Sequence, residues 1–196
     1  MFKQPTTLKI ELPEWPGQFA LTWTDTLDIN QRMEFVISAS QRSVYEGTGG
    51  PFAAAIFEQE TGKLVALGIN LVTTRGLSIL HAEIVAITLA QTKLNTYDLG
   101  SGNSQYELVT STEPCAMCLG AIPWSGITRI VTAARDEDAR NIGFDEGAKP
   151  ANWEQTLIDR GISVISNIQR DKACKVLELY KTMNGHIYNS RKDTLS

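Results

Sequence analysis

Strand-like and helix-like segments alternate along most of this 196-residue chain. Over residues 28–45 apolar side chains recur at helical spacing, and Asp28 is the predicted N-cap. The apolar runs 51–57 and 63–72 flank Thr61-Gly62, which predicts a hairpin. Further helices are predicted over 81–94, 114–124, 153–160 and 171–184, and further strands over 107–111, 127–133 and 162–166. This alternation predicts an α/β layered domain, and the hairpin makes its sheet mixed rather than all parallel.

The length suits one folded domain, which we assign to residues 26–190. Residues 1–25 contain three prolines and are predicted to form an irregular N-terminal extension on the surface; residues 191–196 are predicted to be a C-terminal tail. No apolar run approaches the ~18–20 residues of a membrane span, and no signal peptide is recognisable. Three cysteines cannot form a disulfide framework, so we expect a cytoplasmic protein.

The charge of the chain restricts its partners. Eighteen Lys and Arg stand against 22 Asp and Glu, a net charge of −4, and no basic block stands out. Binding to nucleic acid depends mainly on Lys and Arg that neutralise phosphates. The sequence therefore disfavours nucleic acid as a partner and favours a small neutral substrate.

Three side chains form a candidate metal site. Cys115 and Cys118 are three residues apart on a predicted helix and share a face near its start, where thiolates are favoured. With His81 they make a donor set that suits Zn²⁺. A closed structural site would need Cys174 or His186 as fourth ligand. Without one, water takes the fourth position and its pKa falls to ~7. A structural zinc module and a redox cysteine pair remain as alternatives.

Glu83 lies two residues after His81, and residues at that spacing do not face each other on a regular helix. Both can serve one site only if the metal sits over the helix N-terminus. We therefore predict zinc between the starts of the helices over 81–94 and 114–124. Glu83 is then not a ligand, and acts as general base and afterwards as general acid.

The joint pattern His81-Ala82-Glu83 followed by Pro114-Cys-Ala-Met-Cys118 is the signature of the zinc deaminases. Over roughly residues 28–190 the chain resembles the cytidine and deoxycytidylate deaminase superfamily. The resemblance implies a three-layer α-β-α sandwich around a mixed five-stranded sheet, and a zinc-dependent aminohydrolase. The small free-cytidine branch carries a cysteine where His81 stands, so it is disfavoured.

Two branches of that superfamily remain. The chain is similar to the guanine deaminases in GGPFAA (49–54), in TSTEPCAMCLGAI (110–122) and in Gly-Phe-Asp-Glu (143–146). The tRNA adenosine deaminases share the metal motifs, but they typically continue with His-Ser-Arg and have a basic surface. This chain has Pro-Trp-Ser-Gly (123–126) in place of that segment, and its overall net charge is negative. The resemblance therefore implies conversion of free guanine to xanthine and ammonia. The alternatives are deamination of adenosine in tRNA and deamination of a related amino-heterocycle or nucleoside.

The resemblance also implies roles for residues outside the metal motifs. Phe52 would lie against the purine ring, Asn70 would hydrogen-bond the base edge, and Glu146 would contact the base and help a proton reach the leaving amine. A carboxylate suits the paired N–H donors of guanine. Each residue also has an alternative reading: Phe52 as core, Asn70 as a turn residue and Glu146 as part of a solvated loop.

Three further residues are candidates for substrate contact, namely Trp124, Asp145 and Tyr188. Trp124 has packing as its alternative role. Tyr188 follows the last predicted helix, in a segment that can cover a neighbour's pocket in homodimers of this family. The resemblance therefore implies a homodimer.

Overall fold

The computed structural model describes residues 2–190, so the predicted tail over 191–196 lies outside the described residues. A five-stranded sheet has the order β2-β1-β3-β4-β5. Strand β1 pairs antiparallel with β2 and β3, whereas β3, β4 and β5 are parallel. The mixed five-stranded sheet is thus confirmed. The strands are β1 (Ala53–Glu58), β2 (Leu64–Ile69), β3 (Tyr106–Thr112), β4 (Arg129–Ala134) and β5 (Ser163–Ile165).

All of the predicted helices are present, and their bounds differ by a few residues from the prediction. The side chain of Asp28 caps its helix as predicted, accepting a hydrogen bond from the Asn30 amide at 2.8 Å. Three further short helices occur. The helices are α1 (Glu14–Ala20), α2 (Ile29–Tyr45), α3 (Val72–Arg75), α4 (Ala82–Leu94), α5 (Ala116–Ser125), α6 (Asp136–Asn141), α7 (Trp153–Ile158) and α8 (Arg170–Thr182).

Alternate side chains of β1 enter two separate cores because successive residues of a strand point to opposite faces. Ala53, Ala55 and Phe57 pack with residues of α2 and α8, whereas Ala54 and Ile56 pack with residues of α4, α5 and α7. Both faces of the sheet are therefore covered by helices. The predicted three-layer α-β-α sandwich is confirmed.

The prediction that residues 1–25 are irregular is wrong for α1. Pro13 lies at the N-cap, and Pro16 lies in the first turn, where its missing N–H costs no helical hydrogen bond. Trp15 is buried, and its indole N–H donates to the Thr48 hydroxyl at 2.9 Å. Prolines thus begin this helix instead of preventing it. Residues 135–150, for which no helix is predicted above, also contain a short helix, α6.

Gly68 allows β2 and the start of α4 to approach each other closely. A Cβ atom at this position would overlap the Ala82 carbonyl oxygen and the Ala86 amide nitrogen. The absence of a side chain therefore lets the first turn of α4, with its neighbour His81, lie directly against the sheet. No helix formed by residues 2–190 is long and apolar enough to span a bilayer.

Candidate active site

The starts of α4 and α5 meet at one end of the sheet and bring the predicted metal ligands together. His81 is the N-cap of α4 and Cys115 is the N-cap of α5, both with extended backbone, and Cys118 lies in the first turn of α5. His81 Nδ1 is 3.5 Å from Cys115 Sγ. One ligand atom from each of the three residues lies within 4.8 Å of the others. The arrangement places a metal between the two helix starts.

The two cysteine donors differ in how readily they lose their protons, and Cys115 is the one prepared to bind a metal. The hydrogen bond from Cys118 and the neighbouring His81 lower the pKa of Cys115 to about 4, although burial opposes this shift. The Cys118 thiol in turn has its pKa raised well above the usual value by its bond to Cys115 and by burial. The site thus holds one ready thiolate, and metal binding releases the proton of the second. Two thiolates and one imidazole fit zinc.

Neither remaining soft ligand joins this group within residues 2–190. Cys174 packs against the core that α2 and α8 share, and the carbonyl of His186 accepts the hydroxyl proton of Tyr180 at 2.7 Å. Among the residues that the structure describes, the metal-binding group consists of His81, Cys115 and Cys118. Three protein donors leave the fourth position of a tetrahedral zinc to water or substrate, which is the pattern of a catalytic site.

We expect Cys118→Ser to weaken zinc binding by at least about 100-fold. Substituting residues that only contact a metal ligand already costs about 10–100-fold in affinity, and Cys118 is itself an assigned ligand. Cys174→Ser is the matched control, since this thiol lies outside the donor group. Zinc per chain, measured by plasma mass spectrometry after dialysis against a weak chelator, should be about one for the native chain and the control. Equal zinc in the Cys118→Ser protein would contradict the assigned donor set.

Glu83 lies beside the donor group without belonging to it. It occupies the first turn of α4, lines the cavity described below and is 6% exposed. Burial, followed by the negative charge of Cys115, raises its pKa to about 7. A carboxyl group with this pKa can both accept and release a proton near neutral pH.

Glu146 brings a second acid to the same place. It is also 6% exposed and lies in the loop of residues 143–148, which follows α6. Its backbone carbonyl accepts a hydrogen bond from the Ala116 amide at 2.9 Å, which attaches the loop to the start of α5. Burial, then the charges of Cys115 and Glu83, raises the pKa of Glu146 to about 8. The solvated-loop reading of Glu146 is therefore not what the structure shows.

A cavity of about 360 Å³ connects these groups, within the range of small-molecule sites. Its wall is formed by the starts of α4 and α5, by the loop of residues 143–148 and by the segment over 188–190. Four of the predicted substrate contacts line it: Phe52, Asn70, Asp145 and Tyr188. The Asp145 side chain is 56% exposed, so it lies at the rim.

Asn70 is held in one orientation in the wall of the cavity. Its Oδ1 accepts hydrogen bonds from the Gly50 amide at 3.3 Å and from the Val72 amide at 3.2 Å. Its Nδ2 is buried and has no hydrogen-bond partner among residues 2–190. Because an unsatisfied buried donor is costly, this amide group is available to an acceptor atom of a ligand.

Aromatic rings form the apolar part of the wall. The ring of Phe144 packs against Phe52 with centroids 4.9 Å apart, and against Tyr188 with centroids 5.1 Å apart. The hydroxyl of Tyr188 is also buried without a partner among the described residues. Phe52 therefore packs with other aromatic residues and also faces the cavity.

The structure does not bring Trp124 to this cavity. Trp124 lies near the C-terminal end of α5 and is 85% exposed. At a rise of ~1.5 Å per residue, it stands about 13 Å along the helix from the Cys115 cap. The prediction that it contacts the base is wrong within this chain. Conversely, Ser78, Glu113 and Met117 line the cavity and were missed. Glu113 and Met117 lie inside the motif over residues 110–122, whereas Ser78 lies outside the motifs named above.

Comparison with known proteins places this geometry in a family. Residues 28–134 match the family described as the cytidine and deoxycytidylate deaminase zinc-binding region, which is more than half of the chain. The matched region contains the three metal donors, Glu83 and Asn70. The fold and the candidate metal site thus lead to the same family.

Three matches to known structures and sequences extend the similarity beyond the motifs. Guanine deaminase from Nitrosomonas europaea is 42% identical, with 92% of this chain and 100% of that chain covered and a TM-score of 0.87. A structure of NE0047 in complex with 2,6-diaminopurine is 45% identical, with 94% and 98% covered and a TM-score of 0.87. The guanine deaminase of Bacillus subtilis is 40% identical over 110 residues, 56% of this chain and 67% of that protein.

Proposed function

The chain belongs to the cytidine and deoxycytidylate deaminase family, and from this premise we propose that it converts free guanine and water to xanthine and ammonia. The observation that carries the proposal is one cavity lined by two buried carboxyl groups, by the donors His81 and Cys115, and by Asn70, whose Nδ2 has no hydrogen-bond partner among the described residues. The similar proteins whose names or ligands point to guanine and diaminopurine support the choice of a purine.

The polar groups of the cavity complement the edges of guanine. The base carries an acceptor at its C6 carbonyl, and donors at N1 and at the exocyclic amine. Asn70 offers Nδ2 as a donor because both bonds to its Oδ1 come from the backbone. Glu146 offers carboxyl oxygens, which accept hydrogen bonds from such donors. Phe52, Phe144 and Tyr188 supply apolar contact for the ring.

Water is activated beside Glu83. Zinc, when held by His81, Cys115 and Cys118, lowers the pKa of a water that it coordinates to ~7 and thereby supplies a nucleophile at neutral pH. Glu83 accepts a proton as the water oxygen attacks C2, and then delivers it to the adjacent ring nitrogen. The pKa of Glu83, about 7, suits both directions of transfer.

Glu146 assists the second half of the reaction. The bond between C2 and the exocyclic nitrogen breaks as the hydroxyl group on C2 gives up its proton and becomes the C2 carbonyl of xanthine. The nitrogen gains one proton and leaves as ammonia, and the hydroxyl proton replaces the one that the acids supplied. Because burial raises its pKa to about 8, Glu146 carries a proton near neutral pH and can donate it to the departing amine. Burial also keeps bulk water away from this transfer.

A substrate with phosphate groups suits the site less well. Among the residues that the structure describes, no Lys or Arg lines the cavity, and the net charge of the chain is −4. Phosphates are recognised chiefly by Lys and Arg. The alternative, deamination of adenosine in tRNA, therefore has no support in the charge of the site, and nucleic acid remains disfavoured as a partner.

We expect zinc-loaded protein to release ammonia from guanine with a kcat/KM at least about tenfold above that for guanosine, because the polar groups assigned to the substrate, Asn70 and Glu146, both match the edges of the base and a ribose gains no assigned partner. The test measures ammonia over a panel of guanine, adenine, cytosine, guanosine and an anticodon stem-loop RNA. Faster turnover of nucleosides or of the RNA would contradict the assignment.

We further propose that the protein is a cytoplasmic homodimer. Trp124 is 85% exposed, and Met117, seven residues earlier on the same face of α5, is 38% exposed, so α5 offers apolar surface to a second chain. The absence of a membrane-spanning helix within residues 2–190 is compatible with this location. Light scattering of the purified chain gives its mass, and a monomeric mass at micromolar concentration would contradict the dimer.

A further inference from the structure

A buried group of charges lies directly behind the loop that carries Glu146. Lys149 Nζ is 2.9 Å from Glu113 Oε2 and 3.2 Å from Asp136 Oδ1. The Lys149 side chain is 6% exposed, that of Glu113 is 11% exposed and that of Asp136 is 20% exposed. The Lys149 ammonium also lies 5.0 Å from the ring centre of Trp153. We refer to Lys149, Glu113 and Asp136 as the charged triad.

Glu113 links the triad to the metal donors. It follows the end of β3, precedes Cys115 by two residues and lines the catalytic cavity. Its amide donates to the Ala134 carbonyl at 2.8 Å, and its Oε2 accepts from the Asp136 amide at 3.2 Å. The side chain that Lys149 binds is therefore fixed between the ends of two neighbouring parallel strands.

Lys149 links the triad to Glu146. The loop of residues 143–148 starts after α6, and Lys149 follows its last residue. The loop is attached to the start of α5 by the bond between Ala116 N–H and the Glu146 carbonyl, 2.9 Å long. Its further polar contacts include Arg140, whose guanidinium donates to the Gly147 carbonyl at 2.8 Å, and Asn189, whose side chain accepts from the Asp145 amide at 2.9 Å and donates to the Gly143 carbonyl at 2.8 Å. The triad thus holds the exit of the loop against the segment that carries the metal donors.

From this geometry we propose that Lys149 is a positioning residue for Glu146. Its ion pair with Glu113 sets where the loop lies relative to the Cys115 end of α5, and hence where the Glu146 carboxyl lies in the cavity. Buried ion pairs of this kind select one arrangement, because breaking them leaves an uncompensated charge. The proposal rests on the proposed function only for the step that Glu146 performs.

Lys149→Met removes the charge and keeps most of the side-chain volume. We expect amide hydrogen exchange in residues 143–148 and at Ala116 to become at least about tenfold faster, while exchange in β3 stays within about twofold. The matched control is Lys172→Met, which removes an exposed ion pair with Glu34 on the surface between α8 and α2. The control should leave both exchange and turnover unchanged within about twofold.

The rate of guanine turnover tests whether Lys149 acts on the reaction through Glu146. Because small misplacements of catalytic groups cost up to about 100-fold, Lys149→Met should lower kcat for guanine by about 10–100-fold and change KM by less than about threefold. In a Glu146→Gln background the same substitution should lower kcat by less than about twofold. A merely structural role would give equal losses in both backgrounds.

Three results would overturn the proposal: unchanged exchange in residues 143–148, an unchanged kcat, or equal losses of kcat in the two backgrounds. The exchange measurement needs no substrate. If native zinc-loaded protein does not deaminate guanine, the proposed function fails while exchange still decides whether Lys149 holds the loop. If Lys149→Met does not fold, Asp136→Asn serves instead: it removes one of the two carboxylate partners of Lys149 and should make amide exchange in the same residues about threefold faster.

Discussion

Glu83→Gln is expected to lower the rate of ammonia release from guanine by about 10²–10⁴-fold, the usual contribution of a positioned acid–base group. The amide has nearly the shape of the carboxyl group, so it preserves packing in this buried place, but it cannot accept the proton of water. Because Glu83 lies outside the group of metal donors, zinc should remain at about one per chain.

The measurement combines ammonia release with the zinc content of the same samples. Glu34→Gln serves as the control, because Glu34 is half-exposed on α2 and distant in the fold from the cavity lining. Unchanged turnover in Glu83→Gln would show that another group moves the proton. Loss of zinc together with activity would instead assign Glu83 to metal binding.

Glu107→Gln is expected to lower the free energy of unfolding by about 3–5 kcal/mol, the cost of breaking a buried ion pair by removing one partner. Glu107 is the second residue of β3 and is fully buried. Its Oε1 is 2.8 Å from Arg32 of α2, whose side chain is 4% exposed, and its Oε2 binds Arg129 of the neighbouring strand β4. Without the carboxylate, two guanidinium groups would face each other without a counter-charge.

The free energy of unfolding is obtained from urea titration at fixed zinc concentration, because a bound metal adds to apparent stability. Glu34→Gln is again the matched control, since exposed ion pairs contribute about 0–1 kcal/mol. A loss below about 1 kcal/mol in Glu107→Gln would show that the two arginines find other partners or solvent. This prediction concerns the sheet and stands apart from the proposed reaction.

Local pattern was sufficient for most of the fold. Alternation of apolar runs with helical spacing identified the five strands and the main helices, because burial of one face imposes its period on the sequence. It failed for α1, α3 and α6, which have seven, four and six residues. Such short helices show too few turns for a period, and the prolines at the start of α1 favoured an irregular segment.

The metal site was predictable because its donors belong to rare residue types. The chain has three cysteines and two histidines, so few combinations are possible, and the spacing of His81 and Glu83 required a metal over a helix end. Trp124 shows the limit of this reasoning. It lies two residues beyond the matching motif over 110–122, yet the length of α5 carries it away from the cavity to the surface.

The layered α/β architecture, the donor set for zinc and the resemblance to the family can be read from residue patterns alone. The period of apolar residues and the rarity of ligating residue types are visible along the chain without knowing which distant residues are in contact. Which loops meet over the donors, in contrast, is known only from the folded chain. It buried Glu83 and Glu146 together, turned the amide of Asn70 toward the cavity and placed Lys149 behind Glu146. These arrangements depend on contacts between residues far apart in the chain and on burial that shifts pKa values. The spacing of residues along the sequence indicates neither of them.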